Sequence, residues 1–253
     1  AFMVSGRGEL HLSVLIEKMR REGFEMGVSR PEVIRRVIDG VEQEPFESLL
    51  IDCEETHQGP IMEEMGKRRG ELRDMVPDGK GRVRLEYMIP SRGIIGFRNQ
   101  FLTMTSGTGV LNSIFDHYGP VKAGEVAARQ NGVLVSMVAG KVLGYALFSL
   151  QERGRLFIGP NIEVYEGQLI GIHSRDNDLA VNPTKGKQLT NVRAAGSDEN
   201  ILLTPPIRMS LEQALDFIDE DELVEVTPQS IRLRKKLLKE VERRRAGRRE
   251  ASE

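Results

Sequence analysis

The sequence of 253 residues predicts an α+β fold built from several parts, and three observations lead to that prediction. Apolar residues recur at helical spacing in GELHLSVLIEKMRREG and again in GPIMEEMGKRRGELRDM, which indicates two amphipathic helices. Apolar and charged residues alternate in GRVRLEYMIP, which indicates a half-buried strand. After Pro120, short apolar runs separated by glycine favour a β-rich barrel or curled sheet.

The composition is that of an ordinary globular protein, with 39% apolar residues and a formal net charge of −2. No apolar run approaches the roughly 18–20 residues that cross a bilayer, so we expect no membrane partner. The single cysteine, Cys53, excludes an internal disulfide and fits a reducing, cytoplasmic setting. The chain starts at alanine without a signal pattern, so we expect a fragment or a processed product.

The first forty residues predict a strand, a helix and an extended segment. Phe2–Val4 form a short apolar run, a helix with Leu12, Ile16 and Met19 on one face follows, and Gly23 ends it. Three elements cannot cover both faces of their own sheet. We therefore expect residues 1–40 to be the latter half of a domain.

We assign the next eighty residues to the order β-α-β-β-α-β, of which the following segments supply both helices and three of the four strands. PFESLLIDCEE is the first strand, and the helix after it places Ile61, Met65, Arg69 and Leu72 on one face. A Pro-Asp-Gly turn precedes GRVRLEYMIP, and IIGFRNQFLTMTSG and NSIFDHYGP supply the second helix and the last strand. This order is that of a ferredoxin-like unit.

The last third combines the β-rich region, in which VLGYALFSL is one of the short apolar runs, with a long polar loop over residues 174–198 and two closing helices. A loop of this length without secondary structure is usually functional. Ser210 and Gln213 form a capping-box pattern, and Thr227-Pro228 predicts the start of a basic helix. Residues 210–226 carry seven acidic side chains and no basic ones, whereas residues 231–253 sum to +6.

Long strings of this sequence resemble translational GTPases. SGRGELHLSVLIEKMRREGFEMGVSRPEVI is similar to the end of domain III of the elongation factor G class, and MIPSRGIIGFRNQFLTMTSGTG with DHYGPV is similar to its domain V. NDLAVNPTKGKQLTNVRAAGSDE and TPPIRMSLEQALDFIDEDELVEVTPQSIRLRK resemble the C-terminal domain of the BipA/TypA family of ribosome-associated GTPases. The resemblance implies a partial ferredoxin-like domain III over 1–40, a ferredoxin-like domain V over 41–121, and a β-rich C-terminal domain with closing helices over 122–253.

No nucleotide-binding motif accompanies this resemblance. A P-loop needs GxxxxGK[ST], and Thr184-Lys185-Gly186-Lys187-Gln188 lacks both the leading glycine and the hydroxyl. We expect no GTP binding, no GTP hydrolysis, no catalytic residues and no cofactor in this chain; the resemblance assigns GTP and Mg²⁺ to a G domain that it does not contain. The four histidines lack metal-ligand spacing, so no metal site is expected.

The long loop is the leading candidate for an RNA-binding site. Cations neutralise phosphates, and short polar groups reach sugars and base edges. The candidates are Arg175, Asn182, Lys185, Lys187, Gln188, Thr190, Asn191 and Arg193. A loop of scattered surface charges is the alternative from the residues alone; the resemblance implies contact with rRNA and tRNA at the ribosomal A site.

Two further sets of cations are candidates for RNA contact. Lys67 and Arg68 lie on the first helix of the domain V-like unit, where the resemblance implies docking on the rRNA and proteins of the stalk base. Arg243, Arg244 and Arg245 lie on the basic terminal helix, which could also contact the acidic segment. A membrane surface is disfavoured as its partner, because no aromatic or large apolar residue follows Val241 to insert. The partners that the resemblance implies are the 70S ribosome, the large subunit, 23S rRNA and A-site tRNA, with roles in large-subunit assembly and stress.

Two other functions remain open from the residues. One is a protein-interaction module that acts through the acidic segment 210–226. The other is an enzyme with its site in the β-rich third, although no nucleophile or acid–base constellation supports it.

Overall fold

The computed structural model describes residues 2–6, 8–124, 129, 131–186 and 202–250, with the side chains of residues 249 and 250 excepted. Contacts within the chain divide it into two units. Pro31–Ala128 form one, here called the central unit. Ala1–Arg30 and Arg129–Glu253 together form the other, here called the terminal unit.

The central unit is a ferredoxin-like βαββαβ fold preceded by a short strand, which confirms the predicted fold class. Its elements are β2 (Arg36–Ile38), β3 (Val41–Glu54), α2 (Gln58–Lys67), β4 (Glu71–Pro77), β5 (Arg82–Pro90), α3 (Phe97–Met104) and β6 (Val110–Pro120). The antiparallel ladder runs β6-β3-β5-β4. Strand β2 forms a hairpin with the start of β3 through Asp39-Gly40, whose φ angles of 52° and 76° suit a type I′ turn.

One face of this sheet is packed against the two helices. The alternation in β5 buries Val83, Leu85 and Tyr87, as the sequence predicts. Strand β3 contributes Leu49 and Ile51 to the same core. The helices complete it with Ile61, Met65, Phe97 and Phe101.

Helix α2 is shorter than predicted. It ends at Lys67, because Arg69 adopts a left-handed φ of 66° and the amide of Gly70 donates to the carbonyl of Met65. This is a Schellman-type helix end. Arg69 and Leu72 therefore lie outside the helix, and the predicted shared face was wrong for both. The end of the predicted helix, ELRDM, instead belongs to strand β4, the fourth strand of the ladder.

The terminal unit contains segments from both ends of the chain. Its helices are α1 (Glu9–Arg21), α4 (Gly144–Leu150), α5 (Leu211–Phe217) and α6 (Glu240–Glu250). Its strands are β1 (Met26–Val28), β7 (Val133–Ser136), β8 (Gly140–Lys141), β9 (Gly154–Leu156), β10 (Glu163–Val164), β11 (Leu169–His173), β12 (Leu179–Val181), β13 (Glu222–Val226) and β14 (Ile231–Lys235). They form the ladders β1-β13-β14, β12-β7-β11-β9 and β10-β8.

The N-terminal segment, with α1 and β1, packs against the C-terminal third. Strand β1 pairs with β13, Ile16 of α1 is buried with Leu215 and Val224, and Arg20 Nε donates to the carbonyl of Thr227 at 2.8 Å. The contact division thus differs from the predicted boundaries at 40 and 121. Spatial contact does not decide which ancestral domain a segment belongs to, so the domain III-like assignment stays a prediction.

Three predicted elements of this unit were wrong and one detail is confirmed. Phe2–Val4, which the structure describes, do not form a strand. The run VLGYALFSL contains helix α4 in place of a strand. The predicted basic helix begins as strand β14, because residues 222–226 and 231–235 pair as an antiparallel hairpin. The capping box is confirmed: Ser210 Oγ accepts from the amide of Gln213, whose side chain accepts from the amide of Ser210.

Candidate nucleic-acid interface

The predicted loop over 174–198 contains the short strand β12 of the β12-β7-β11-β9 sheet, so the expectation of a loop without secondary structure was wrong at residues 179–181. Residues 174–186 are here called the first end of the loop, and residues 202–204, which follow it in the chain, its second end. Strand β12 lies parallel to β7, and Asp178 just before it accepts a hydrogen bond from the amide of Val133 at 2.9 Å. After β12, the Asn182 side-chain oxygen accepts from the amide and hydroxyl of Thr184 at 3.0 and 2.9 Å. This Asx turn fixes the direction in which the chain leaves the sheet.

Both ends of the loop are attached to helix α4. At the N-terminal end of the helix, the amide of Leu143 donates to the carbonyl of Pro183 at 3.1 Å. At its C-terminal end, the Gln151 side chain donates to the carbonyl of Leu202 and accepts from the amide of Thr204, at 3.1 and 3.0 Å. At 1.5 Å per residue, these two attachment points lie about 12 Å apart along the helix.

A buried ionic network ties the first end of the loop to the β13–β14 hairpin. Lys235 Nζ lies 2.6 Å from Asp178, 2.8 Å from Asp221 and 2.9 Å from Glu222. Arg129 forms a bidentate pair with Glu222 at 2.9 and 3.0 Å and lies over the ring of Phe217. The Glu222 side chain is fully buried and the Lys235 side chain is 4% exposed.

The network sets the charge states of its members. Burial alone would raise the pKa of Glu222, but the hydrogen bonds from Arg129 and the charge of Lys235 outweigh it and hold that pKa below its usual value. Burial alone would lower the pKa of Lys235, but Glu222, Asp178 and Asp221 raise it above its usual value. Both groups are therefore charged at neutral pH, and the first end of the loop rests on a fixed arrangement of charges.

Three of the predicted loop residues lie in the described part of the chain, and all three are exposed. They are Arg175, Asn182 and Lys185. Within that part, no carboxylate forms an ion pair with Arg175 or Lys185. Asn182 uses its carbonyl oxygen in the Asx turn. The remaining candidates, Lys187, Gln188, Thr190, Asn191 and Arg193, lie outside the described residues.

The structure separates the two cations at the end of α2. The Lys67 side chain is 46% exposed and pairs with Glu63 at 2.7 Å. The Arg68 side chain is 5% exposed and binds Glu64, the carbonyls of Gly93 and Ile95, and the Gln100 side chain. Every donor of Arg68 in these bonds is directed inward, so this candidate is corrected: Arg68 is a structural residue and cannot reach a phosphate from this position.

The terminal helix leaves its three arginines in different settings. Arg243 donates through Nη1 to the carbonyl of Leu237 at 2.9 Å and to that of Leu238, which fastens the segment before the helix. Arg244 pairs with Glu240 at 2.5 Å, and Arg245 is exposed. Arg245 is therefore the most available of the three for contact with RNA.

The acidic segment is largely neutralised within the chain. Asp219 pairs with Arg30, Asp221 and Glu222 pair with Lys235, and Glu225 lies 3.6 Å from Arg232. Tyr165 also donates to Glu225 at 2.7 Å. A partner protein would thus meet far less negative charge than the sequence indicates.

The described ranges offer little to a small ligand or a metal. Two clefts there have volumes of about 270 and about 70 Å³, below the roughly 300–1,000 Å³ of drug-sized ligand sites. Among the same residues, no group of three His, Cys, Asp or Glu side chains could hold a metal ion. No described helix is both long and apolar enough to cross a membrane.

Comparison with known proteins decides the family. Residues 41–129 match the family model for the elongation factor G C-terminus, and residues 131–240 match that for the TypA/BipA C-terminal domain. A Haemophilus influenzae protein named "Large ribosomal subunit assembly factor BipA" is 68% identical over 98% of this chain. The chain belongs to the BipA/TypA family.

Other BipA proteins agree with this assignment. Those of Salmonella typhimurium and Buchnera aphidicola, which carry the same name, are 66% and 58% identical over 98% and 99% of the chain. The chain spans about two fifths of the length of these curated relatives, with 40% of the Haemophilus protein covered and 41% of the other two. A crystal structure of a Thermus thermophilus protein matches 32% of this chain and 12% of that protein's chain, at 22% sequence identity. Its TM-score of 0.31 is too low to establish a common fold.

Sequence reasoning missed several residues that shape this interface. Arg129, Lys235 and Gln151 position the loop, but their partners are remote in the chain. Arg129 and Glu222 lie 93 positions apart, and Gln151 and Thr204 lie 53 apart, so no local pattern reveals either contact. Strand β14 did leave a signal, because Ile231 and Leu233 alternate with arginines, which is typical of strands.

Proposed function

We propose that this chain is the ribosome-binding portion of a BipA/TypA-type factor and that its long loop contacts rRNA of the large subunit. The observation that carries the proposal is the loop's attachment at both ends of α4, with Arg175 and Lys185 exposed at its first end. A cation held on a rigid base can meet a particular phosphate, which suits folded RNA. The relatives' name, which states large-subunit assembly, supports the same interpretation.

The proposal also specifies which ribosomal components the chain contacts. The 70S ribosome, 23S rRNA and A-site tRNA are the expected contacts of the loop, while Lys67 and Arg245 are peripheral contacts. Stalk-base proteins are expected near the central unit. We expect the protein to be cytoplasmic and bound to ribosomes. We expect GTP and Mg²⁺ to bind the G domain of the whole protein, and we expect the whole protein to act in the stress response.

A salt series tests the proposal. Binding of the chain to isolated large subunits should weaken steeply with salt, because each neutralised phosphate releases counterions. Lys185→Ala should lower the affinity and reduce the slope of log K against log salt by about 1. Lys80→Ala is the matched control, since it removes an exposed lysine from the turn between β4 and β5. Equal affinities for both variants would remove the loop from the interface.

The acidic segment remains the second candidate. It predicts binding to a partner protein in the absence of RNA, and a loss of that binding on Glu220→Ala, which removes an exposed carboxylate. The internal ion pairs of Asp219, Asp221 and Glu222 favour the RNA function over this one.

A further inference from the structure

The outer face of helix α4 carries two aromatic rings. Tyr145 is 40% exposed and Phe148 is 42% exposed, whereas Ala146, Leu147 and Leu150 are buried. Residues three apart lie on the same face of a helix. The outer face of a surface helix is normally polar, so two rings there are unexpected from packing alone.

These rings lie on the element that holds the long loop. The loop leaves the sheet next to Leu143 and is held again at Gln151, the residues that flank α4. A ligand that binds near either end of the loop therefore lies close to the face of α4 that presents Tyr145 and Phe148.

The charges around the helix favour an anionic partner. Lys141 and Lys185 lie by its N-terminal end and Arg153 follows its C-terminal end, and none of them forms an ion pair within the part of the chain that the structure describes. Two carboxylates, those of Glu152 and Glu163, lie in the same neighbourhood and leave a small positive excess. Exposed rings bordered by cations are a common arrangement for unpaired nucleic-acid bases, which stack on the rings while phosphates meet the cations.

We infer that Tyr145 and Phe148 form a stacking platform for unpaired RNA bases beside the loop. This inference rests on the proposed function, because it takes the same RNA as the ligand. It adds a distinct chemistry: the loop supplies charge and hydrogen bonds, and the helix supplies π-faces.

Tryptophan fluorescence provides the test, since the chain contains no tryptophan. Phe148→Trp places the only indole on the platform, and Phe115→Trp, at a site 55% exposed in the central unit, is the matched control. Protein-free 23S rRNA should quench the indole at position 148 and leave the control unchanged. Binding without quenching at 148, or equal quenching at both sites, would overturn the platform.

A second pair of variants separates ring stacking from apolar contact. Tyr145→Leu/Phe148→Leu keeps apolar side chains without rings and should bind 23S rRNA at least about tenfold more weakly, whereas Tyr145→Phe should bind as the parent does. Unchanged affinity of the leucine variant, with Lys185→Ala still weakened, would overturn the platform and leave the proposed function intact. Failure of the parent chain to bind rRNA would overturn both.

Discussion

The central and terminal units each hold an arginine that is mostly covered, with 5% of the Arg68 side chain and 15% of the Arg129 side chain exposed, but they satisfy it in different ways. In the central unit, Arg68 pairs with Glu64 four residues earlier on the same helix and lies over the ring of Phe97. In the terminal unit, Arg129 lies over Phe217 and pairs with Glu222, 93 positions away. The first arrangement secures one helix end, whereas the second joins distant segments and, through the contacts of Glu222 with Lys235, supports the loop.

The difference shows what a buried charge does in each unit. Breaking the local pair should disturb the contact between α2 and the segment before α3, where Arg68 binds the carbonyls of Gly93 and Ile95. Breaking the long-range network should loosen the hairpin and the first end of the loop together, because Lys235 contacts groups on both.

The largest effect is expected from Glu222→Ala. This change removes the fully buried carboxylate that Arg129 and Lys235 share, and breaking such a pair costs about 3–5 kcal/mol. Amide hydrogen exchange should show β13 and β14 losing protection while β3 and β5 keep theirs. Glu220→Ala, which changes an exposed neighbour, is the control; equal loss in both variants would contradict the network's role.

Arg68→Ala should reverse that pattern. It leaves Glu64 and two carbonyls in the interior without this donor, at a cost of about 3 kcal/mol. Protection should fall in β3 and β5 and persist in β13. Lys67→Ala removes an exposed side chain one residue away and should change little. If Lys67→Ala destabilises the central unit as much as Arg68→Ala does, the structural role assigned to Arg68 is wrong.

Acid should affect the terminal unit through Glu222. Because its pKa is lower in the folded state than the unfolded value near 4.5, its contribution is complete above that pH and is lost as the pH falls through the folded pKa. The stability of β13–β14, followed by hydrogen exchange during acidification from neutral pH, should therefore decline below 4.5. Glu222→Gln should flatten this decline, and an identical acid limb in that variant would exclude Glu222 as its source.

The smallest effect concerns the start of α5. Ser210→Ala removes the side-chain acceptor for the amide of Gln213 and should cost about 1 kcal/mol. Thermal unfolding is the measurement, with Ser5→Ala, at an exposed serine outside any helix, as the control. Equal midpoints would show that the capping box contributes nothing to the terminal unit.

The central unit could be predicted well because its signals are local. The alternation of Val83, Leu85 and Tyr87 and the order of the other segments pointed to its fold, although Glu71–Pro77, predicted in part as helix, form strand β4. The exception was the end of α2, where a left-handed arginine replaces the usual glycine. The resemblance to domain V made Arg68 a candidate for RNA contact. The sequence alone cannot show that the carbonyls of Gly93 and Ile95 lie within reach of its side chain.

The terminal unit was harder because its determining contacts are distant in sequence. The capping box at Ser210 was visible, but the pairing of β1 with β13 was not. The prediction of one helix over the basic segment was wrong because its charge density masks the alternation of Ile231 and Leu233. Residue type and resemblance pointed to the loop as a candidate, whereas its support from Lys235 and Gln151 required the structure.

Directed hydroxyl-radical probing tests the central claim, that the ends of the loop lie against rRNA. Cys53 is fully buried and burial raises the pKa of its thiol, so it should not take the iron chelate. A chelate on Ser174→Cys should cleave 23S rRNA at one confined region in the bound large subunit, and a chelate on Gln229→Cys, at an exposed turn position, should give a different pattern or none. Full binding with no 23S rRNA cleavage from position 174 would contradict the account.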